Sequence, residues 1–281
     1  MNRVSSPDRI PAISDAALDA RVVEVVTGSF ERLTPMELKR RVGQVGHPLE
    51  RGPIEASIRR LVEQKVLVYT YQLGNSFLEP SFEKPVRVTD SIVLKPPACD
   101  YDALPGDTVV NIKAGAAFGT GCHPTTRLSL MGLEKVCMGN LIPVRKENCR
   151  VLDIGTGSGV LAIAALKMGI DQGVGLDIDP CARAEAAENA VLNGLSKRLE
   201  ISGRSLASLE GGFFLITANL RLPTLKAYFS KMVQMIVPDG FLVVSGIKSN
   251  EIKTLKDRAD SQGMTVCWEG KALGWGALVL C

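Results

Sequence analysis

Three short runs of this chain combine acids, an amide and glycines in ways that suit a nucleoside-like ligand. The first is Val151-Leu152-Asp153-Ile154-Gly155-Thr156-Gly157-Ser158-Gly159, an apolar stretch closed by an acid and followed by glycine at alternate positions. Glycines there let backbone approach a ligand closely. A helix starting near Val160 would add unpaired N–H groups and a partial positive charge. In the second run Asp177 closes the next apolar strand, Val174-Gly175-Leu176, where an acid can accept from both hydroxyls of a ribose. The third, Ile216-Thr217-Ala218-Asn219-Leu220, ends another apolar strand in an amide. Ligands of an open α/β sheet gather at the carboxyl ends of its strands, so Asp153, Asp177 and Asn219 are expected along one edge.

Charge narrows the choice of ligand. A dinucleotide would bring a pyrophosphate to the glycine loop, and Asp153 would repel it. S-adenosylmethionine carries an ammonium and a sulfonium and no phosphate, so Asp153 becomes an attraction. The spacing Gly157-x-Gly159-x-x-Ala162 matches the dinucleotide fingerprint only loosely. A nicotinamide site and a glycine turn without ligand are the alternatives. Upstream, Ala117-Phe118-Gly119-Thr120-Gly121-Cys122-His123-Pro124-Thr125-Thr126 interleaves small residues with Phe118. Thr125 or Thr126 is expected to cap the helix through Leu130, Leu133 and Val136. Gly119 and Gly121 suggest a loop able to close over a cofactor. His123 could accept a proton or hold this loop by a structural hydrogen bond.

Together these motifs resemble the ribosomal protein methyltransferases of the PrmA type. The segment A-F-G-T-G-x-H-x-T-T is whole, as are the D-x-G-x-G-S-G loop, Gly175-Leu176-Asp177-Ile178-Asp179-Pro180, Ala218-Asn219 and Ser245-Gly246-Ile247. The resemblance runs from about Asp107 to Cys281. It implies S-adenosylmethionine as cofactor, with Thr126, Gly155, Asp177 and Asn219 at cofactor-contacting positions. Phe118, Gly119, Thr120, Asp153, Gly157 and Gly159 complete the expected cofactor-binding set, and Asn219 and His123 the expected catalytic pair. Ala114-Gly115 stands where the family usually has Pro-Gly, and the N-terminal part does not read like the family's usual α+β recognition module.

The remaining sequence must position these residues. At 281 residues the chain can form two domains. Apolar residues make up 46% and charged residues 22%, as in ordinary soluble globular proteins. A formal net charge of +3 does not demand nucleic acid. The seven cysteines form no C-x-x-C pair and there are two histidines, so a metal site is not expected. The absence of a leader-like or membrane-spanning apolar run points to the cytoplasm and to no membrane partner.

Residues 1–14 read as a flexible tail. Residues 15–84 give three helices followed by a hairpin, the winged-helix pattern. Thr34-Pro35-Met36-Glu37 is a capping box with Pro at the first helical position. Arg51, Arg59 and Arg60 near the third helix are interleaved with Glu50, Glu55 and Glu63, which disfavours a DNA-reading face. Residues 85–106 read as a linker with one edge strand, and 135–148 as a surface insertion. Residues 107–281 form the expected methyltransferase domain, and from Cys149 onward strand and helix alternate, which predicts an α/β fold, a Rossmann-like seven-stranded methyltransferase sheet. Only Gly270-Lys271-Ala272-Leu273-Gly274 separates the last two strands, too short for a parallel crossover, so the C-terminal strand must be antiparallel. One of Trp268 and Trp275 on that hairpin could line an acceptor pocket; both also suit packing.

A sulfonium methyl is already activated, so positioning is the main demand on the enzyme. The expected reaction is methylation of lysine or N-terminal amines of a protein such as a ribosomal protein. The alternatives are a small-molecule methyltransferase and a DNA-binding regulator that senses S-adenosylmethionine.

Overall fold

The computed structural model describes residues 13–29, 31–44, 51–72, 74–113, 115, 119, 121, 123–139 and 148–281. Phe118, Thr120 and most of the expected 135–148 insertion lie outside these residues. The chain divides into two compact units, Met1–Ser81 and Phe82–Cys281.

The first unit holds α1 (Asp15–Gly28), α2 (Pro35–Gln44), α3 (Arg51–Glu63), β1 (Leu67–Gln72) and β2 (Asn75–Pro80). Ser14 caps α1, accepting from the Ala17 N–H, and Leu18, Val22 and Val26 bury one face of that helix. The box before α2 closes both ways: the Thr34 N–H donates to Glu37, and the Glu37 N–H donates to the Thr34 hydroxyl. β1 and β2 pair antiparallel, and Leu33 makes one isolated antiparallel bridge to Leu78. Leu18, Val22, Leu38, Ile54, Ile58, Leu67 and Leu78 form the core. The Arg60 guanidinium donates to Asp19 and pairs with Asp15, and Lys39 pairs with Glu55.

The second unit begins with β3 (Val86–Arg87), β4 (Ile92–Lys95) and β5 (Thr108–Asn111), which form a three-stranded sheet. Residues 85–106, expected as a linker with one edge strand, carry that strand as β4 and a second, β3, and Ile92, Val93 and Leu94 are buried. The two residues of β3 are too few to declare a strand in sequence, whereas apolar β4 could be read. Its burial comes from packing on α4 (Pro124–Cys137), whose buried Glu134 accepts from the Thr89 hydroxyl and the Ser91 N–H.

Then follow β6 (Arg150–Ile154), α5 (Val160–Lys167), β7 (Gln172–Leu176), α6 (Pro180–Leu192), β8 (Leu199–Ser202), β9 (Phe213–Asn219), α7 (Leu222–Met235), β10 (Ile236–Lys248), α8 (Ile252–Asp260), β11 (Val266–Ala272) and β12 (Trp275–Leu280). Their seven strands lie in the order β11-β12-β10-β9-β6-β7-β8. β12 runs antiparallel to both neighbours, and the other pairings are parallel. α4 and α5 cover one face and α7 and α8 the other. The central strands β6 and β9 are mainly apolar because both faces are covered, with Asp153 and Thr217 as buried exceptions. This is the Rossmann-like methyltransferase sheet.

Several boundaries differ from the sequence reading. β7 stops at Leu176, so Asp177 stands just past the strand. α7 stops at Met235, and β10 is irregular in register against β9 between Ile236 and Phe241, around Asp239-Gly240. The terminal hairpin turns on Leu273-Gly274 alone, both at positive φ. Cys267 and Cys281 are joined by a disulfide, a pairing set by the β11–β12 register and invisible in sequence spacing. No described helix is long and apolar enough to cross a membrane.

Candidate active site

The glycine loop leaves β6 at the middle of the sheet. Gly155, Gly157 and Gly159 all have positive φ, where a side chain would be strained. The turn is pinned from below: the Gly155 and Thr156 N–H groups both donate to the Leu176 carbonyl, and the Gly159 N–H to the Thr156 carbonyl. Gly159 also lets α5 approach α6, because a Cβ there would meet the Ala186 Cβ at 3.3 Å.

Asp153 is 1% exposed. Its carboxylate accepts from the Thr217 hydroxyl at 2.6 Å and the Thr156 hydroxyl at 2.7 Å. Burial pushes this carboxyl above the usual range, while the Thr217 and Thr156 hydroxyls and the Ala162 N–H oppose the rise. Expected to face a cationic ligand group, Asp153 here ties the glycine loop to β9. Its oxygens are taken up by internal donors because Thr156 and Thr217 flank it on the loop and the neighbouring strand.

Asp177 lies nearer the surface. One carboxylate oxygen accepts from the Gly157 N–H and the other from the Asp179 N–H, both at 3.0 Å. Arg183 on α6 donates to the carbonyls of Asp177 and Ile178 at 2.9 and 3.0 Å, fixing this turn. Ile178 is left 95% exposed beside the acid.

A cavity of about 630 Å³ opens at this carboxyl edge. Gly155, Gly157, Asp177 and Asn219 line it, with Ile178, Leu206, Leu220 and Tyr228 as apolar wall. Its two lining carboxylates, Asp177 and Asp179, face one guanidinium, Arg204, which is paired with Glu200. That balance suits a cationic nucleoside better than a pyrophosphate. The Asn219 side chain is half-buried and makes no hydrogen bond among the described residues.

Asp153, Gly159, Gly119, Thr126 and His123 do not line the cavity. Gly119 lies over the glycine loop, its carbonyl accepting from the Ser158 hydroxyl at 3.0 Å. Thr126 is 1% exposed, and its Oγ1 is buried without a partner among the described residues. An orphaned hydroxyl is costly, and it marks where a polar ligand group would fit. The cap of α4 is His123 rather than a threonine: its Nδ1 accepts from the Thr125 N–H at 3.2 Å, and Pro124 fills the first helical position. Proline at that position fixes the residue before it in extended backbone, the conformation a cap needs.

Sequence reading missed Arg183, Ile178, Tyr228 and Asn189. The Asn189 amide donates to the Ser158 carbonyl at 2.9 Å and accepts from the Lys113 N–H at 3.0 Å. A polar residue among Ala182, Ala186 and Ala190 on the buried stripe of α6 was the available signal.

Asn219 is held by β10. Ser245 pairs with it across the sheet, and the Leu220 N–H donates to the Ser245 carbonyl. Gly246 follows at φ +85°, where an added Cβ would come 2.5 Å from the Leu220 carbonyl oxygen. Gly246→Ala should therefore cost roughly 2 kcal/mol and lower the melting temperature by about 4–8 °C. An unchanged thermal melt would show that the backbone relaxes away from Leu220.

The family model described as ribosomal protein L11 methyltransferase (PrmA) matches residues 80–280. A ribosomal protein L11 methyltransferase of Citrifermentans bemidjiense is 42% identical over 167 residues, which cover 58% of this chain and 53% of the relative. One from Geotalea daltonii is 37% identical over 202 residues, covering 70% of this chain and 64% of the relative. The chain thus spans less than two thirds of the length of these curated relatives. The crystal structure of a ribosomal protein L11 methylase from Lactobacillus delbrueckii subsp. bulgaricus superposes with a TM-score of 0.62 at 27% identity, covering 70% of this chain and 98% of that one. With this match over most of its length, and the glycine loop, Asp177 and Asn219 gathered at the carboxyl edge of the sheet, the chain belongs to the ribosomal protein L11 methyltransferase (PrmA) family.

Proposed function

We propose that this protein is an S-adenosylmethionine-dependent methyltransferase that methylates lysine or N-terminal amines of a protein, with ribosomal protein L11 as the first substrate to examine. The observation that carries this reading is the meeting of Asp177 and Asn219 in one cavity. A ribose-reading acid just past β7 and an otherwise unengaged amide at the end of β9 flank the end of β6, which carries the glycine loop.

S-adenosylmethionine, when bound, supplies a methyl group already activated by its sulfonium. Asp177 accepts from the ribose hydroxyls, and its bonds to Gly157 and Asp179 preorganise it. Ile178 and Leu206 offer apolar faces to the base. The Thr126 hydroxyl, buried and without a partner among the described residues, would accept a polar group of the amino-acid end if that end reaches beyond the cavity wall. Asn219 accepts from the acceptor amine through its carbonyl oxygen and aims the nitrogen lone pair. A lysine amine must first shed a proton from a reference pKa of about 10.4; desolvation in the cavity lowers that value, and the proton leaves to water. His123 acts here as a positioning residue, because its Nδ1 is engaged in capping α4.

The N-terminal unit reads as a winged-helix-like module, residues 15–84 in the sequence reading, that recognises the protein substrate. Three helices, a hairpin and the Leu33 bridge support the pattern. Arg60 and Lys39 are neutralised by Asp15, Asp19 and Glu55, which argues against a DNA-reading face. Incubation with purified ribosomal protein L11 and S-adenosylmethionine, followed by mass mapping, tests the reading. Methyl groups on lysine or N-terminal nitrogen are expected. Transfer only to hydroxyl groups or to small molecules would sink the amine assignment.

A further inference from the structure

A second cluster stands at the same sheet edge, and it does not line the cavity: His123, Lys248 and Trp275. Trp275 opens β12 and pairs with Lys248 at the end of β10. The Lys248 Nζ stands 3.5 Å from the centroid of the Trp275 ring. The His123 ring meets the same indole edge-on, with centroids 4.9 Å apart and planes at 70°. Trp275 is half-buried and Lys248 is exposed. No carboxylate among the described residues pairs with the Lys248 ammonium, so an aromatic face is its main partner.

The cluster is mechanically tied to the candidate site. Ser245, which pairs with Asn219, places its hydroxyl 3.1 Å from the Gly276 carbonyl and 3.2 Å from the Thr125 carbonyl. One side chain thus bridges the strand that carries Trp275 and the helix that carries Thr126. His123 caps that same helix while packing on the indole.

We propose that the Trp275 face is a subsite for an alkylammonium, the side chain of a lysine before and after methylation, and that Lys248 occupies it as an internal competitor. This rests on the N-methyltransferase reading. An aromatic face attracts cations, and more strongly when they are desolvated. An exposed lysine gives up rotamer freedom to stay there, so its hold is weak and a second cation can displace it. Methylation keeps the positive charge and wraps it in apolar surface, which suits an indole further.

Ligand-observed NMR with Nα-acetyl-Nε-trimethyllysine amide tests the proposal, with the uncharged carbon isostere of the side chain as control. The ammonium should bind saturably and the isostere should not. Lys248→Ala should tighten ammonium binding roughly three- to tenfold, because the face is vacated. Trp275→Leu should abolish it in both the parent and the Lys248→Ala background. Equal affinity in parent and Lys248→Ala, or equal binding of ammonium and isostere, would overturn the proposal. Lys248→Ala is a surface change, so that arm does not depend on the fold tolerating Trp275→Leu. S-adenosylhomocysteine titrated into the same samples reports the methyl-donor site separately. Its failure to bind, with the ammonium results intact, would overturn the methyltransferase reading and leave the Trp275 subsite standing.

Discussion

Asp177→Ala is expected to weaken S-adenosylhomocysteine binding about 100- to 1,000-fold. Each hydrogen bond from a ribose hydroxyl to a charged carboxylate is worth roughly 1.5–3 kcal/mol, and losing two at the lower part of that range, fitting for an acid near the surface, gives about 3–4 kcal/mol, or two to three decades in affinity. The carboxylate also receives the Gly157 and Asp179 N–H groups, so its removal loosens the loop that lines the cavity. Asp177→Asn separates the two effects. It keeps one acceptor oxygen and nearly the same volume, and it should lose only about tenfold. Calorimetric titration measures both variants. Parent-like affinity in Asp177→Ala would remove the ribose contact from the account.

Asn219→Ala should act on turnover rather than on the cofactor. Loss of one preorganised polar group at a reacting centre costs about 100- to 1,000-fold in kcat, whereas S-adenosylhomocysteine affinity should change by less than about threefold. Two observations separate these quantities. The amide lies on the cavity wall without a partner among the described residues, and the turn that carries it is fixed independently by the Leu220–Ser245 hydrogen bond. The opposite pattern, weak cofactor binding with near-normal turnover at saturation, would make Asn219 a cofactor contact only.

What the sequence made legible was local chemistry. The glycine loop, Asp177 and Asn219 announce themselves because each sits within a few residues of the strand end that places it. The antiparallel C-terminal strand was legible for a similar reason, since a connection of a few residues excludes a crossover. Partners brought in by tertiary packing were not legible. Arg183 reaches the Asp177 turn from the first turns of α6, and Tyr228 reaches the cavity from α7. The role of Asp153 also depended on packing: its acid character is plain in sequence, but Thr217 comes from a distant strand and consumes one of its oxygens. In residues 85–106 the edge strand β4 was legible but the two-residue β3 was not, and the turn between them is ordered by Glu134 of α4. The disulfide between Cys267 and Cys281 exists only in the register of the final hairpin.

The most direct measurement is label transfer. The purified protein is incubated with methyl-labelled S-adenosylmethionine and a cell extract, beside the Asp177→Ala variant. The account predicts label on a discrete protein, located to lysine or N-terminal nitrogen, and none with the variant. Label confined to small molecules, or absent although S-adenosylmethionine binds tightly in the same sample, would contradict it.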